Sequence, residues 1–404
     1  MTARRDSAAL TVASVVNGIA AYATAVIASR GLDDVGFAAF SVSWSLWALS
    51  VALLVFPVQH WIIWRRARDG DTAAVRLALP KVLIVFGVVI VILFAAGNSE
   101  ALFPVGRGWG LLLAVIGVSS ALLGLGRGLL AAGGRYDSLA WVIGSENVLR
   151  LVAVTVAVVL LRQEAQWAVL GLSVGILALI PFSPKLRFTG GESSVKVNVL
   201  AELGALAGAT ALAHAMVQFP PAAAEWLGES PQRVSAIFAT FSVGRAPFLV
   251  VLAVSARLTA PLTRFLSEPV VKLRRSLTRT MIWLASATLV AGVLGYVVGP
   301  EIVAWFFGPG RALGGIETAL VAAGLVMATA GVLITLALMV KRANRLVVTF
   351  WACSVIVAIL LAIYGVSVPV AFFIGETMAS ILSAGALWYL VTRAQSASAS
   401  STKP

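Results

Sequence analysis

The stretch "LAWVIGSENVLRLVAVTVAVVLL" (139–161) decides how the rest of the chain is read. It is long enough to cross a bilayer as one helix, which takes about 20 predominantly apolar residues. Yet it carries Glu146 and Arg150, four residues apart, so the two lie on one helix face within reach of each other. A charge at the centre of a spanning helix costs about 2.5–3.5 kcal/mol on insertion scales. The pair must therefore point away from lipid, into a helix bundle or a wet cavity, and a span of this kind implies others around it.

Composition agrees. Of 404 residues 60% are hydrophobic and only 12% charged, against about 25% charged in a soluble domain. The chain is an all-α integral membrane protein. Apolar runs between charged or Gly/Pro breaks give twelve spans. They fall at about 8–29, 35–63, 76–98, 109–131, 138–161 and 166–183, then 199–221, 234–256, 280–299, 315–340, 346–365 and 368–391. The N-terminus "MTARRDSAALTVASVVNG" (1–18) has the look of a signal peptide, but its apolar stretch continues to about Ser29 and reads as the first span.

The loop charges test this count. With the N-terminus inside, 23 of the 30 Lys and Arg fall at inner ends, including Arg65, Arg66, Arg68, Arg127, Arg135, Lys185 and Lys272. Only Arg30, Arg107, Arg162, Arg233 and Arg311 lie outside, and Arg150 and Arg245 fall within spans. A wrong number of spans would scramble that alternation, so both termini are expected in the cytoplasm, in a multi-pass cytoplasmic-membrane protein. The same bias accounts for the net charge of +13 without nucleic acid as a partner.

The chain also reads as a duplication. "NSEALFPVGRGWG" (98–110) precedes the fourth span and "GPEIVAWFFGPGRALGG" (299–315) the tenth, each with Glu, apolar and aromatic residues, then Pro and Gly-Arg. Two six-helix lobes of equal topology follow, related by an axis along the membrane normal. The first is 1–198, ending in a joining loop at about 184–198 ("PKLRFTGGESSVKVN"), and the second is 199–392. The tail 393–404 is small and polar and is expected to be disordered.

Several chemistries are excluded. Cys353 is the only cysteine, so neither an internal disulfide nor a cysteine zinc site can form. His60 and His214 lack metal-ligand spacing, and no P-loop motif occurs. No metal, cofactor or catalytic residue is expected.

The candidates for function are polar residues at membrane depth. Glu146 and Arg150 either fix the packing of the fifth span or line a path through the first lobe. Arg245 sits mid-span in "SVGRAPFLV" (242–250), between Gly244 and Pro247, where a broken helix is tolerated only against protein or a cavity. It could hold an anionic group through two parallel hydrogen bonds, or tie a kink to a neighbouring helix. His214 and Gln218 form a second i,i+4 pair on the seventh span, and Asn17 lies mid-span in the first. Each of these three is more often packing glue between helices than a ligand. Glu202 and Glu376 are acidic residues of the kind that mark ion coupling or pairing.

At these residues the chain resembles the polysaccharide flippases of the multidrug/oligosaccharidyl-lipid/polysaccharide (MOP) exporter superfamily. "SRGLDDVGFAAFSVSWSLW" (29–47) is similar to their connection between the first two helices, and "RGLLAAGGRYDSLAWVIGSENVLRLV" (127–152) to their passage from the fourth to the fifth. "GRAPFLVVLAVSARLTAPLTRFL" (244–266) resembles their eighth helix and its Pro-containing inner loop, and "WFFGPGRALGG" (305–315) the outer loop before the tenth. The resemblance implies two six-helix lobes around a central cavity working by alternating access. It implies a lipid-linked glycan as substrate, carried on a polyprenyl diphosphate, with membrane lipid around the tail. A cationic cavity then fits Arg245 and Arg150, with Arg30 near its mouth. The departure is that only Arg245 and Arg150 stand at mid-depth.

The expected function is thus a flippase for a lipid-linked oligosaccharide or polysaccharide precursor, driven by a proton or sodium gradient or by the membrane potential. The alternative is a cation-coupled multidrug exporter of the same superfamily. A membrane glycosyltransferase or polymerase is a third reading, suggested by the acidic "LDD" at Leu32, Asp33 and Asp34, but the connection there is too short to hold a sugar site.

Overall fold

In the computed structural model, residues 2–69, 72–104, 108–161, 164–188, 198–245, 248, 270–340 and 343–401 are described. Their regular structure is helical throughout. Helices α1 (Thr2–Gly31) and α2 (Asp34–Ser50) come first; α2 passes through a π-helical turn, Val51–Val55, into α3 (Phe56–Asp69). Then follow α4 (Ala73–Gly97), α5 (Trp109–Ala132), α6 (Tyr136–Leu160) and α7 (Ala165–Gly171), which gives way to a 3-10 helix over Val174–Lys185. The rest are α8 (Val199–Gln218), α9 (Pro220–Trp226), α10 (Pro231–Gly244), α11 (Val270–Val297), α12 (Gly299–Phe307), α13 (Gly315–Val340), α14 (Asn344–Ile363) and α15 (Val368–Ser401).

Ten described helical stretches are long and apolar enough to cross a bilayer, and they coincide with ten of the twelve expected spans. Helix α8 occupies most of the seventh, 199–221, and α10 begins the eighth, 234–256; of the rest of that span, Ala246, Pro247 and residues 249–256 lie outside the described residues. The outer surfaces are apolar, as lipid requires: Ile84, Val91, Leu160, Trp141, Trp283 and Leu289 are all well exposed.

The chain forms two compact units, residues 1–214 with 221–235, and residues 215–220 with 236–404. In the first, α1 packs on α6, and α3 and α4 pack on α5. Gly124 of α5 lies against the π-helical turn, where a Cβ would overlap the Leu54 carbonyl and lie 2.8 Å from the Val55 Cα. A tie closes the end of this unit expected to face the cytoplasm. Arg65 of α3, 1% exposed, donates from Nε to Glu202 of α8 at 3.0 Å and from Nη1 to Asp69 at 3.1 Å, and Trp61 Nε1 donates to the same Glu202 at 2.9 Å. Glu202, expected to be protonated or paired, is paired. In the second unit α13 packs against α11 and α15, and α14 against α15.

Three expectations change. Asp33 is the N-cap of α2, its carboxylate accepting from the Gly36 N–H at 2.7 Å, and Asp34 accepts from Gln232 at 3.2 Å. The "LDD" acids therefore terminate and anchor helices, as short acidic residues at an N-terminus do. The tail is not irregular to its end, since α15 continues through Ser401. Residues 393–401, rich in Ser and Ala, contain no Gly or Pro that would stop a helix. Of the two related loops, 299–307 is a helix, whereas 99–104 forms turns.

Candidate functional site

The charged span 139–161 is the centre of a buried network in the first unit. Helix α6 presents Glu146, Asn147 and Arg150 on one face, all at most 5% exposed. The pairing expected between Glu146 and Arg150 is loose, at 3.9 Å. Glu146 is closer to Arg127 of α5, at 3.3 Å. Arg127 thus departs from the reading that placed it with the inner loops, because its long side chain reaches back from the end of α5 into the unit. Arg150 spends its donors elsewhere: Nε on the Leu172 carbonyl at 2.8 Å and Nη1 on Asn147 Oδ1 at 2.6 Å, with its guanidinium 4.8 Å from the Trp47 ring centroid.

The local folds explain these partners. The break between α7 and the 3-10 helix frees the Leu172 carbonyl, and Gly175 just beyond leaves room for the guanidinium, to which a Cβ would approach within 2.5 Å. Asn147 also donates to the Asn17 carbonyl of α1 at 3.3 Å. Two guanidinium groups face one carboxylate, so the network carries an excess positive charge. Glu146 Oε2, Arg127 Nε and Asn17 Oδ1 remain without hydrogen-bond partners.

Arg245 organises a second cluster, in the second unit. It ends α10 and is 5% exposed. Its guanidinium donates to Gln218 Oε1 and to Ser242 Oγ and lies 5.2 Å from the Phe238 ring centroid. Gln218 therefore serves Arg245, and the ring of His214, four residues earlier on α8, lies 6.0 Å from that of Phe56. Arg30 is exposed at the end of α1, about 20 Å along the helix axis from Asn17.

Sequence reasoning missed Arg127, Asn147 and Trp47. It also missed a small cleft lined by Val35, Ala38, Leu102, Pro104, Glu225 and Pro231. Burial pushes the Glu225 carboxyl above its ordinary value, and its Oε2 has no hydrogen-bond partner. Among the described residues no group of His, Cys, Asp and Glu could hold a metal ion.

No protein-family model matches the sequence, and no curated protein sequence matches it. Solved structures do. An inward-facing multidrug resistance MATE family transporter of the MOP superfamily superposes with a TM-score of 0.66 at 15% identity, covering 95% of this chain and 99% of its own. The chain shares the fold of that transporter. An outward-facing MATE family transporter gives 0.59 at 18% identity, covering 98% and 97%. A MOP superfamily transporter from Pyrococcus furiosus, described as having a binding pocket of reversed polarity that suggests a different function, gives 0.63 at 15% identity over 95% of each chain.

Proposed function

We propose that the chain is a secondary transporter of the cytoplasmic membrane that exports small organic solutes by alternating access, coupled to a cation gradient. The observation that carries this reading is the match of nearly the whole chain to transporters solved both inward-facing and outward-facing. Their described role in multidrug resistance favours a small-molecule substrate over a lipid-linked glycan. The arginines point the same way. Arg127, Arg150 and Arg245 are each bonded to groups of their own unit, so each guanidinium is already engaged at least in part.

The second reading, a flippase for a polyprenyl diphosphate-linked glycan, draws on one feature. The Arg127–Glu146–Arg150 network has one more positive than negative charge and an unused Arg127 donor. In that reading Arg150, Arg245 and Arg30 bind the headgroup, with Glu146, Asn17, His214 and Gln218 as polar lining.

Purified protein in proteoliposomes separates the two. Gradient-driven movement of ethidium, with no change in the leaflet distribution of a polyprenyl diphosphate oligosaccharide, is expected. Glycan translocation without ethidium transport would reverse the order. A matching experiment is depletion in the host: build-up of complete glycan precursor on the cytoplasmic leaflet identifies a flippase, and increased sensitivity to cationic drugs identifies an exporter.

A further inference from the structure

Helix α15 carries a carboxyl with no counterpart. Glu376 is completely buried, and among the described residues neither of its oxygens has a hydrogen-bond partner. Glu146, the deep carboxylate of the first unit, sits beside two arginines; Glu376 sits beside a glycine. A Cβ on Gly324 of α13 would overlap Glu376 Oε2, so the missing side chain is the space the carboxyl occupies.

The same face of α15 is polar toward one end. Ser380 and Ser383 follow Glu376 at i+4 and i+7 and are 1% and 0% exposed. Ser380 Oγ donates to the Met327 carbonyl at 2.6 Å and fills the place of a side chain at Gly331. Ser383 Oγ is buried without a partner, as are Thr377 Oγ1 and Ser354 Oγ. This stripe runs inside the helix pair toward the end of α15 expected to be cytoplasmic.

Among the described residues, several charged groups on the helices packed against α15 stand away from this point. Glu317 lies about 10 Å up the axis of α13 from Gly324, and Arg345 about 13 Å down α14 from Ser354. Cys353 is on an exposed face. On α11 the basic residues Lys272, Arg274, Arg275 and Arg279 occupy its first three turns. Arg245, brought near α13 where Gly244 meets Leu325, is bonded to Gln218 and Ser242.

An ionised carboxylate in apolar surroundings, with neither a cation nor a donor, is too costly to persist, so such a group neutralises. A metal ion would need several oxygens gathered at one point. Here the hydroxyls are strung along two turns of helix. We propose that Glu376 is a proton-exchanging site: the carboxyl holds a proton while packed against Gly324 and releases it to water entering along Ser380 and Ser383, leaving a carboxylate. Its use in coupling rests on the transport reading above; the proton exchange itself does not.

Infrared difference spectra of the full chain in nanodiscs, between acid and alkaline pH, test the exchange. A protonated-carboxyl stretch that titrates in the wild type, is lost in Glu376→Gln and shifts in Glu376→Asp is expected, with Ser380→Ala keeping the band but slowing its response at least fivefold. Absence of a titrating band in the wild type, or its survival in Glu376→Gln, overturns the proposal; should Glu376→Gln fail to fold, the Asp variant's band shift decides. In proteoliposomes, Glu376→Gln should reduce ethidium accumulation driven by a pH gradient at least tenfold, with partial recovery in Glu376→Asp. A titrating band without transport of any probe would sink the transport reading and leave the proton site standing. Loss in Glu376→Gln of sodium-driven, pH-independent accumulation would make this a sodium site and overturn the proton assignment.

Discussion

Glu146 shows what a buried charge demands. Breaking a buried pair from one side costs about 3–5 kcal/mol, because the remaining charge has neither water nor partner. Glu146→Gln removes the only carboxylate in a network of two arginines and should lower the thermal unfolding midpoint markedly. The structure also says which second change repairs it. Arg127 is the nearer partner, at 3.3 Å, so Glu146→Gln with Arg127→Met should recover more than half of the lost stability. Glu146→Gln with Arg150→Met should recover little, since Arg150 also satisfies the Leu172 carbonyl and Asn147. Equal recovery in both double variants would mean that the charge is shared rather than assigned. Sequence could see the i,i+4 spacing of Glu146 and Arg150, because that follows from helix geometry alone. It could not see Arg127, whose contact depends on how the hairpin of α5 and α6 closes around Gly133 and Gly134. Counted from that turn, the two residues differ in depth by about 7 Å, which only the long arginine side chain bridges.

At the scale of the element, apolar length and loop charge reported the helices, and the exceptions are places where a helix changes type. The π-helical turn Val51–Val55 has no sequence signature; it is stabilised by what α5 places beside it, a glycine whose absent side chain admits the Leu54 carbonyl. Gly124→Ala should therefore force α5 off the turn and lower stability by about 1–3 kcal/mol, as overpacking does. Gly87→Ala is the control. No atom lies within 4 Å of its Cβ position in α4, so it should be neutral or stabilising by up to about 1 kcal/mol. Thermal unfolding of the two variants in the same lipid checks the contrast. Helix α9 has a different sensitivity. Glu225 there is half-buried, and its carboxyl is held above the ordinary value of 4.5 by burial. The unfolded chain ionises this group at lower pH than the folded one, so stability falls as pH rises from the ordinary carboxylate range through the raised folded value. Glu225→Gln should remove that loss, making the variant more stable than the wild type at neutral pH but not at acid pH where both carboxyls are protonated. A constant difference across the range would refute the burial argument.

For the whole molecule, the most legible property was the all-helical, many-span plan, because span length and loop charge report it separately. Contacts made inside the first unit agree with it independently. Arg65 at the end of α3 binds Glu202 at the start of α8, and Asp34 at the start of α2 binds Gln232 at the start of α10, so each tie joins ends that the charge alternation had placed on one side. Substrate was the least legible property, since it depends on a few side chains whose exposure cannot be read from spacing, and Arg127, Arg150 and Arg245 turned out to be occupied by their own units. The topology makes a strict prediction. In a Cys353→Ser background, single cysteines at Glu100, Arg311 and Tyr364 should react with a membrane-impermeant maleimide added to intact cells. Cysteines at Arg68, Arg135 and Arg345 should react only after the membrane is permeabilised. Inversion of the whole set would reverse the orientation and leave the helix count intact, whereas a Tyr364 cysteine that reacts only after permeabilisation, with the others as expected, would mean an even number of crossings between Arg135 and Tyr364 in place of seven. That second result would break the equality of the two halves, and with it the argument from duplication.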